Sequence, residues 1–420
     1  MSIVLFTRAP SLTDTTTIDW MHMPYTANNR AADRETAAHL EERAAELHKQ
    51  LEEVMAQQET VHARLRSYVY PILTIPNEIV AEILVHSISP YPAPNLLYGP
   101  SSPTRLAQIC RLWREIAHST PALWRAMNLF HYYGDNSVPA AWQTSMISAW
   151  LARSGSLPLA FQYGSILNPE ARGAVLPLLL AHQARWQYVN FHSTVSVEDA
   201  TLRLHVGNEM PVLRELQLHL LAAPLEFPEI RAPQLRTLFI ATSGFAIVSP
   251  ILRLRSWDAL TELFLWNVGL CRVAEILTET KNLVRCNFAI SPGPALPLHV
   301  HEISLLHLDT LIFRPDPAFE YDPTLYASAA ILLRQFRAPV LKYLLIDERL
   351  LDPPLGHELE TLRRFLDDLA RPQLQRMVVN LARAAEEEYL EAFPNISWIS
   401  TNDNGYWDPP EWGTWEVFPA

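Results

Sequence analysis

Cysteine is nearly absent: Cys110, Cys271 and Cys286 are the three in 420 residues, and no two form a CxxC pair. That leaves a disulfide framework or a cysteine-built zinc site without support and fits a reducing compartment. Long apolar runs are also missing. Ile3 to Phe6 spans only four residues before Arg8 and Pro10, too short for a signal-peptide core. No stretch approaches the roughly 18 apolar residues that cross a bilayer. The expected location is therefore cytoplasmic or nuclear, with no membrane partner. Lysine appears only at Lys49, Lys281 and Lys342 among 33 basic residues, a bias we read as codon usage. With a net charge of −12, the chain is ill suited to a phosphate backbone, so nucleic acid is not an expected partner. Catalytic signatures are lacking as well: GxSxG, GxGxxG, GxxxxGK and HExxH do not occur. His299, His301 and His307 come nearest to a metal cluster, but no cysteine or carboxylate set completes a geometry. No catalytic residue, metal or cofactor is expected.

What the chain does have is apolar content, 49% against 19% charged residues, enough to fold as two or three domains or as one repeat array. Residues 1–30 show no period and read as a disordered lead-in. Within residues 31–70 a seam runs through Ala37, Leu40, Ala44, Leu47, Leu51, Val54, Gln58, Val61, Leu65 and Tyr68, at alternating spacings of three and four. Charged and amide residues fill the other faces, and neither Pro nor Gly intervenes before Pro71. The pattern predicts one long helix, either a coiled coil that makes a homodimer through residues 37–68 or a helix packed on its own domain.

From residue 186 a pattern L-x-x-L-x-L returns: Trp186 to Phe191, Leu213 to Leu218, Leu235 to Ile240, Leu260 to Leu265, Leu283 to Phe288, Leu308 to Phe313, Leu341 to Ile346 and Leu374 to Val379. A degenerate ninth copy begins at Pro394-Asn-Ile396. Starts lie 27, 22, 25, 23, 25, 33, 33 and 22 residues apart, around the leucine-rich-repeat period. Each L-x-L predicts a short strand sending two side chains into a shared core, with a return segment such as Cys271 to Thr280 as helix. One such unit cannot bury its own apolar face. Stacked units can, so residues 131–401 are expected to form an irregular leucine-rich-repeat solenoid with a parallel inner sheet.

Residues 71–130 hold two short helical patterns, a third turn, and between the first two an insert, Ser89 to Ser102, with four prolines. The pieces read Ile75-Pro76-Asn-Glu78-Ile79-Val-Ala-Glu-Ile83-Leu84, Ile109-Cys110-Arg111-Leu-Trp113-Arg114-Glu-Ile116-Ala117 and Pro121-Ala-Leu123-Trp124. They resemble, in order, the LPxEIxxxIL, VCRxWRxIA and PxLW of the F-box. Ile75 stands for the usual Leu, and the insert is longer than in the compact form. With the long helix and Ala149 to Phe161, most of the chain is similar to a large fungal F-box family with irregular leucine-rich repeats. The resemblance implies a non-catalytic, substrate-recognition adaptor of an SCF-type cullin-RING ubiquitin ligase. The residues it assigns to docking a Skp-type adaptor, and through it the cullin scaffold, are Ile75, Pro76, Ile79, Ile83, Leu84, Leu106, Ile109, Cys110, Trp113, Ile116, Leu123 and Trp124. Some of these must pack together, yet a unit of about fifty residues is too small to hide them all. The alternative is a leucine-rich-repeat scaffold in which F-box-like helices only cap the array.

On the strands, side chains flanking the buried pair should line the inner face: Tyr188, Asn190, Gln217, His219, Phe239, Phe264, Trp266, Asn287, Ile312, Arg314, Tyr343, Leu345 and Val378. Phe239, Phe264, Trp266, Ile312 and Leu345 form a candidate patch for an unknown protein substrate. The tail, residues 402–420, carries Tyr406, Trp407, Trp412 and Trp415 among prolines. It is expected either to cover that patch or cap the last repeat, or to leave the patch free. The expected fold class is thus α plus α/β solenoid: a long helix, a three-helix F-box, then the repeats.

Overall fold

The computed structural model describes residues 27–68, 71–129, 140–164, 169–193, 209–220, 229–242, 253–254, 257–293, 296, 301–316 and 322–402. Of the expected lead-in, residues 1–26 lie outside them, as does the aromatic tail beyond Asn402, while residues 27–30 are helical and not part of a lead-in. The chain divides into two compact units, residues 1–75 and 76–420. In the first, helix α1 runs unbroken over Ala27–Ser67, as a stretch free of Pro and Gly and rich in Ala, Glu, Leu and Gln should. It buries none of its residues. The seam is exposed along its length, with Leu40 at 61%, Leu47 at 54% and Leu65 at 66%. A turn of 3-10 helix follows at Pro71–Thr74.

The second unit carries helices α2 (Asn77–His86), α3 (Pro103–Leu106), α4 (Arg111–His118), α5 (Ala140–Arg153), α6 (Pro169–Leu180), α7 (Leu270–Glu279), α8 (Pro323–Leu333), α9 (Glu358–Asp368) and α10 (Glu386–Ala392). Its strands are β1 (Asn95–Leu96), β2 (Ala126–Leu129), β3 (Leu159–Gly164), β4 (Trp186–Ser193), β5 (Glu215–Leu220), β6 (Glu229–Ile230), β7 (Thr237–Thr242) and β8 (Arg253–Leu254). They continue with β9 (Glu262–Gly269), β10 (Arg285–Ser291), β11 (Ile303–Ser304), β12 (Thr310–Pro315), β13 (Phe336–Arg337), β14 (Tyr343–Asp347), β15 (Arg376–Asn380) and β16 (Trp398–Asn402). Twelve of these form one sheet in the order β1-β2-β3-β4-β5-β7-β9-β10-β12-β14-β15-β16. Every pairing in it is parallel. Short parallel ladders join β6 to β8 and β11 to β13.

A long parallel sheet added strand by strand in chain order, with helices in the return segments, is solenoid-like. Each full copy of L-x-x-L-x-L supplies one strand, and from Leu213 onward the strand starts two residues after the first leucine. That leading leucine turns the chain into the strand and is buried, as at Leu213, Leu235, Leu260, Leu283, Leu308 and Leu341. The other two positions build continuous layers across the sheet. In one, Leu216, Leu238, Leu263, Cys286, Leu311, Leu344 and Met377 lie in register; in the next, Leu218, Ile240, Leu265, Phe288, Phe313, Ile346 and Val379. All are essentially inaccessible. Cys286, as part of such a layer, behaves as a small apolar side chain, and burial pushes its thiol far up. Helix α7 fills one return segment, burying Leu270, Val273, Ala274, Ile276 and Leu277.

The opposite face shows a second register row. It runs Asn128, Gln162, Asn190, Gln217, Phe239, Phe264, Asn287, Ile312, Leu345, Val378 and Ser400. Its ends are polar and its middle is largely apolar.

Three strands precede the repeats read in the sequence, and β2 explains them. Trp124-Arg-Ala-Met127-Asn-Leu129 has the spacing of Trp186-Gln-Tyr-Val189-Asn-Phe191, and through Phe161 and Tyr163 of β3 the two segments share register. The likeness extends to hydrogen bonding. The Trp124 indole N–H donates to the Ala117 carbonyl at 2.7 Å, and that of Trp186 to the Leu179 carbonyl at 3.1 Å. In both cases the acceptor lies seven residues back, at the end of the preceding helix, where carbonyls lack intrahelical partners. The first strands of the array thus lie within residues 71–130, and β1 and β2 share one sheet with the ten strands that follow them in it.

Candidate adaptor-docking surface

The helices that precede β2 are each set by a local signal. Pro76 stands before α2, and its carbonyl accepts from the N–H of Ile79 and of Val80 at 3.1 Å each, a start that costs no hydrogen bond because proline's missing donor would be idle there. Ser102 caps α3, its hydroxyl accepting from Thr104 N–H at 3.2 Å and donating to the Leu97 carbonyl at 2.8 Å. Cys110 caps α4 through its sulfur, which accepts from Trp113 N–H at 3.4 Å.

The helices are apolar on more sides than their own packing uses. On α2, Val80 and Leu84 share one stripe and are fully buried, while Ile79 and Ile83 form the adjoining stripe and stand 51% and 37% exposed. On the loop into α4, Ile109 is 58% exposed. Of the residues assigned to docking, Leu84, Ile116, Leu123 and Trp124 lie in the core, together with Val80 and Ala117, which the motif did not single out. Leu106, Cys110 and Trp113 are half-buried, and Pro76 is exposed. The Trp113 indole nitrogen is buried with no hydrogen-bond partner. In the first unit, Ile75 is half-buried and Ile72 is 43% exposed. Fully covering Ile79, Ile83 and Ile109 is worth roughly 3 kcal/mol from their remaining apolar surface. A face of this composition suits association, not chemistry.

Trp124 anchors the set to the rest of the unit. It meets Trp150 of α5 edge-on at 5.2 Å and lies under the Arg153 guanidinium at 4.6 Å. The proline-rich insert is fixed to the sheet by Tyr91. Its hydroxyl donates to Gln187 Oε1 at 2.7 Å, its ring meets Tyr188 edge-on, and Arg125 stacks on it at 3.8 Å. Burial pushes the Tyr91 phenol up to about 12, against the opposing charge of Arg125.

Of the candidate substrate residues, Phe239, Phe264, Ile312 and Leu345 lie on the polar-ended row of the sheet and are buried, while Trp266 stands two residues further along β9. Phe239 and Phe264 pack together with Ala241, and Trp266 rests half-buried against them. Ile312 and Leu345 form a separate buried cluster with Val378, against which Trp398 packs. The five residues are therefore split into two clusters, with Asn287 between them in register. Arg314 is buried and stacks on Trp266 at 4.6 Å. Among the described residues no group of three His, Cys, Asp or Glu side chains could hold a metal ion; His299 lies outside them. No helix among them is long and apolar enough to cross a membrane.

Residues 72–129 match the family model described as F-box-like. No curated protein matches the chain. An F-box-like domain, its apolar side partly uncovered, thus precedes a long parallel sheet and shares strands with it.

Proposed function

We propose that this protein is a substrate-recognition adaptor of an SCF-type cullin-RING ubiquitin ligase, in which the F-box-like helices dock a Skp-type adaptor and the inner face of the sheet holds a protein substrate. The observation that carries this is the uncovered stripe Ile79, Ile83 and Ile109 within a segment that matches the F-box-like model. Such a protein needs no catalytic side chain; it raises the local concentration of substrate near the conjugating enzyme. The repeats that build the sheet are read as irregular leucine-rich repeats, since their L-x-x-L-x-L period and buried leucine layers have that form. The cytoplasm or the nucleus is where such an adaptor acts.

A second proposal concerns α1. Its exposed seam suits self-association as a coiled coil, with Gln58 as the single polar seam residue that would hold register. The rival reading, an interaction scaffold whose F-box-like helices only cap the array, is favoured by the strands β1 and β2 at the sheet's edge. It predicts no affinity for a Skp-type adaptor. Co-purification separates the two: capture at micromolar concentration supports the ligase reading, and its absence with the full chain overturns it.

A further inference from the structure

A cleft of about 200 Å³ opens where the proline-rich insert meets the polar end of the sheet. One wall is Pro92 to Pro94; the floor and opposite wall are Gln162 of β3, Tyr188 and Asn190 of β4, and Glu215 and Gln217 of β5. Its Pro92 to Pro94 wall belongs to the F-box-like segment, but none of the residues assigned to docking and none of the apolar patch lines it.

Its hydrogen bonding has a direction imposed by one charge. Ionised, Glu215 can only accept, so the Gln217 amide turns its NH2 toward it, with Nε2 2.5 Å from Glu215 Oε1. That leaves Gln217 Oε1 as an acceptor, and Asn190 Nδ2 donates to it at 2.8 Å. Asn190 Oδ1 is consequently left over; it is buried and without a partner. No described residue donates a hydrogen bond to Glu215 Oε2, and Glu215 makes no ion pair among the described residues. The neighbouring acid, Glu262, is already paired with Arg285 at 3.6 Å, and Arg125 is committed to the Tyr91 ring. Burial raises the proton affinity of Glu215, partly opposed by the Gln217 hydrogen bond, and Glu262 adds repulsion. A partly buried carboxylate with no counter-charge is costly unless something supplies one.

We infer that this cleft receives a cationic side chain, Lys or Arg, of the protein substrate, with Glu215 as counter-ion, Asn190 Oδ1 as second acceptor and the Tyr188 ring as an aromatic wall. The free oxygens of Glu215 and Asn190 suit a donor-rich cation, and an aromatic ring adds attraction for it. The inference rests on the adaptor reading and gives the substrate a chemical class: a basic residue presented to the start of the sheet. It also gives the long insert a role, as the wall that makes the cleft concave.

The test titrates fluorescein-labelled peptides of one neutral sequence into the full chain, with Arg, Lys, citrulline or Glu at the central position, read by fluorescence polarisation to about 5 mM. The expected result is that Arg or Lys binds about tenfold tighter than citrulline, which keeps the shape of Arg without its charge. Comparing Arg with Lys tells which cation the cleft prefers. Glu215→Gln should bring the Arg-to-citrulline ratio to about one, and Ala93→Trp, at the exposed rim, should block both. Equal binding of Arg and citrulline, preference for Glu, no binding by any peptide, or an unchanged ratio in Glu215→Gln overturns the inference. Capture of a Skp-type adaptor by the same variants is measured alongside; it should be unaffected, so failure of the cleft and failure of the adaptor reading are told apart.

Discussion

Two neighbouring positions on α2 give the sharpest test, because Ile83 and Leu84 belong to the same motif yet only Leu84 lies in the core. Ile79 and Ile109, half-exposed like Ile83, should act through binding, and Leu84 through folding. Truncating Ile79 and Ile109 together to Ala removes apolar surface that is about half uncovered in the free protein, so each forfeits about 1 kcal/mol of association energy. Their joint loss of about 2 kcal/mol corresponds to a Kd weakened about thirtyfold. The stability of the unbound chain should fall by less than about 1 kcal/mol, since little of either side chain is packed. Leu84→Ala should instead lower stability by about 2–5 kcal/mol through its cavity. Titration calorimetry with a purified Skp-type adaptor measures the first effect, and urea unfolding of the chain alone measures the second. If the double variant binds like the original, or loses as much stability as Leu84→Ala, the division of the motif into an inner and an outer stripe is wrong.

Trp124→Phe keeps most of the ring but loses the indole donor to Ala117, so urea unfolding should register a loss of about 1–3 kcal/mol. Because the residue serves the helices and the sheet together, residues 76–420 should still unfold in one transition. Glu348 is buried, and its carboxylate accepts from the Tyr389 hydroxyl and from Arg383 N–H at 2.9 Å. Burial holds its proton affinity above the usual carboxylate range, the Tyr389 bond opposing. The folded state therefore takes up this proton more readily than the unfolded one, and the group's contribution to stability falls as pH rises above that range. Tyr389→Phe removes a donor to the charged form; it should cost about 1–3 kcal/mol at neutral pH and less below about pH 4, in thermal melts across pH. Leu47→Glu with Leu51→Glu should abolish self-association through α1, seen by light scattering after size exclusion, while an already monomeric parent would rule out the coiled coil.

The later strands of the large sheet were legible because each is written by three apolar positions at fixed spacing. What stayed hidden was the start of the array. Trp124 satisfies two patterns at once, the PxLW end of the F-box and the first position of a strand unit, and the F-box resemblance accounted for it fully. The signal was available in Met127 and Leu129, which complete Trp-x-x-Met-x-Leu, but at a single copy removed from the others by a non-matching stretch. The docking list shows the complementary limit. Helical spacing places Ile79 and Leu84 on a broad apolar sector, and only the position of α4 and of Trp124 decides which part of that sector is covered. The cleft was least legible of all: Gln162, Asn190 and Glu215 come from three strands, and their meaning depends on the orientation of an amide between them.

The sharing of Trp124 also bears on how an adaptor of this kind would work. A flexible joint between docking helices and recognition face would spread the substrate over a large volume and dilute it at the conjugating enzyme. Here β2 follows Trp124 directly, Tyr91 ties the insert to β4, and the helices, cleft and sheet rest on the same strands. A substrate held in the cleft by a basic residue would thus keep a set distance from Ile79 and Ile109. For a non-catalytic adaptor of the proposed kind, that distance would be the property on which the rate of modification depends.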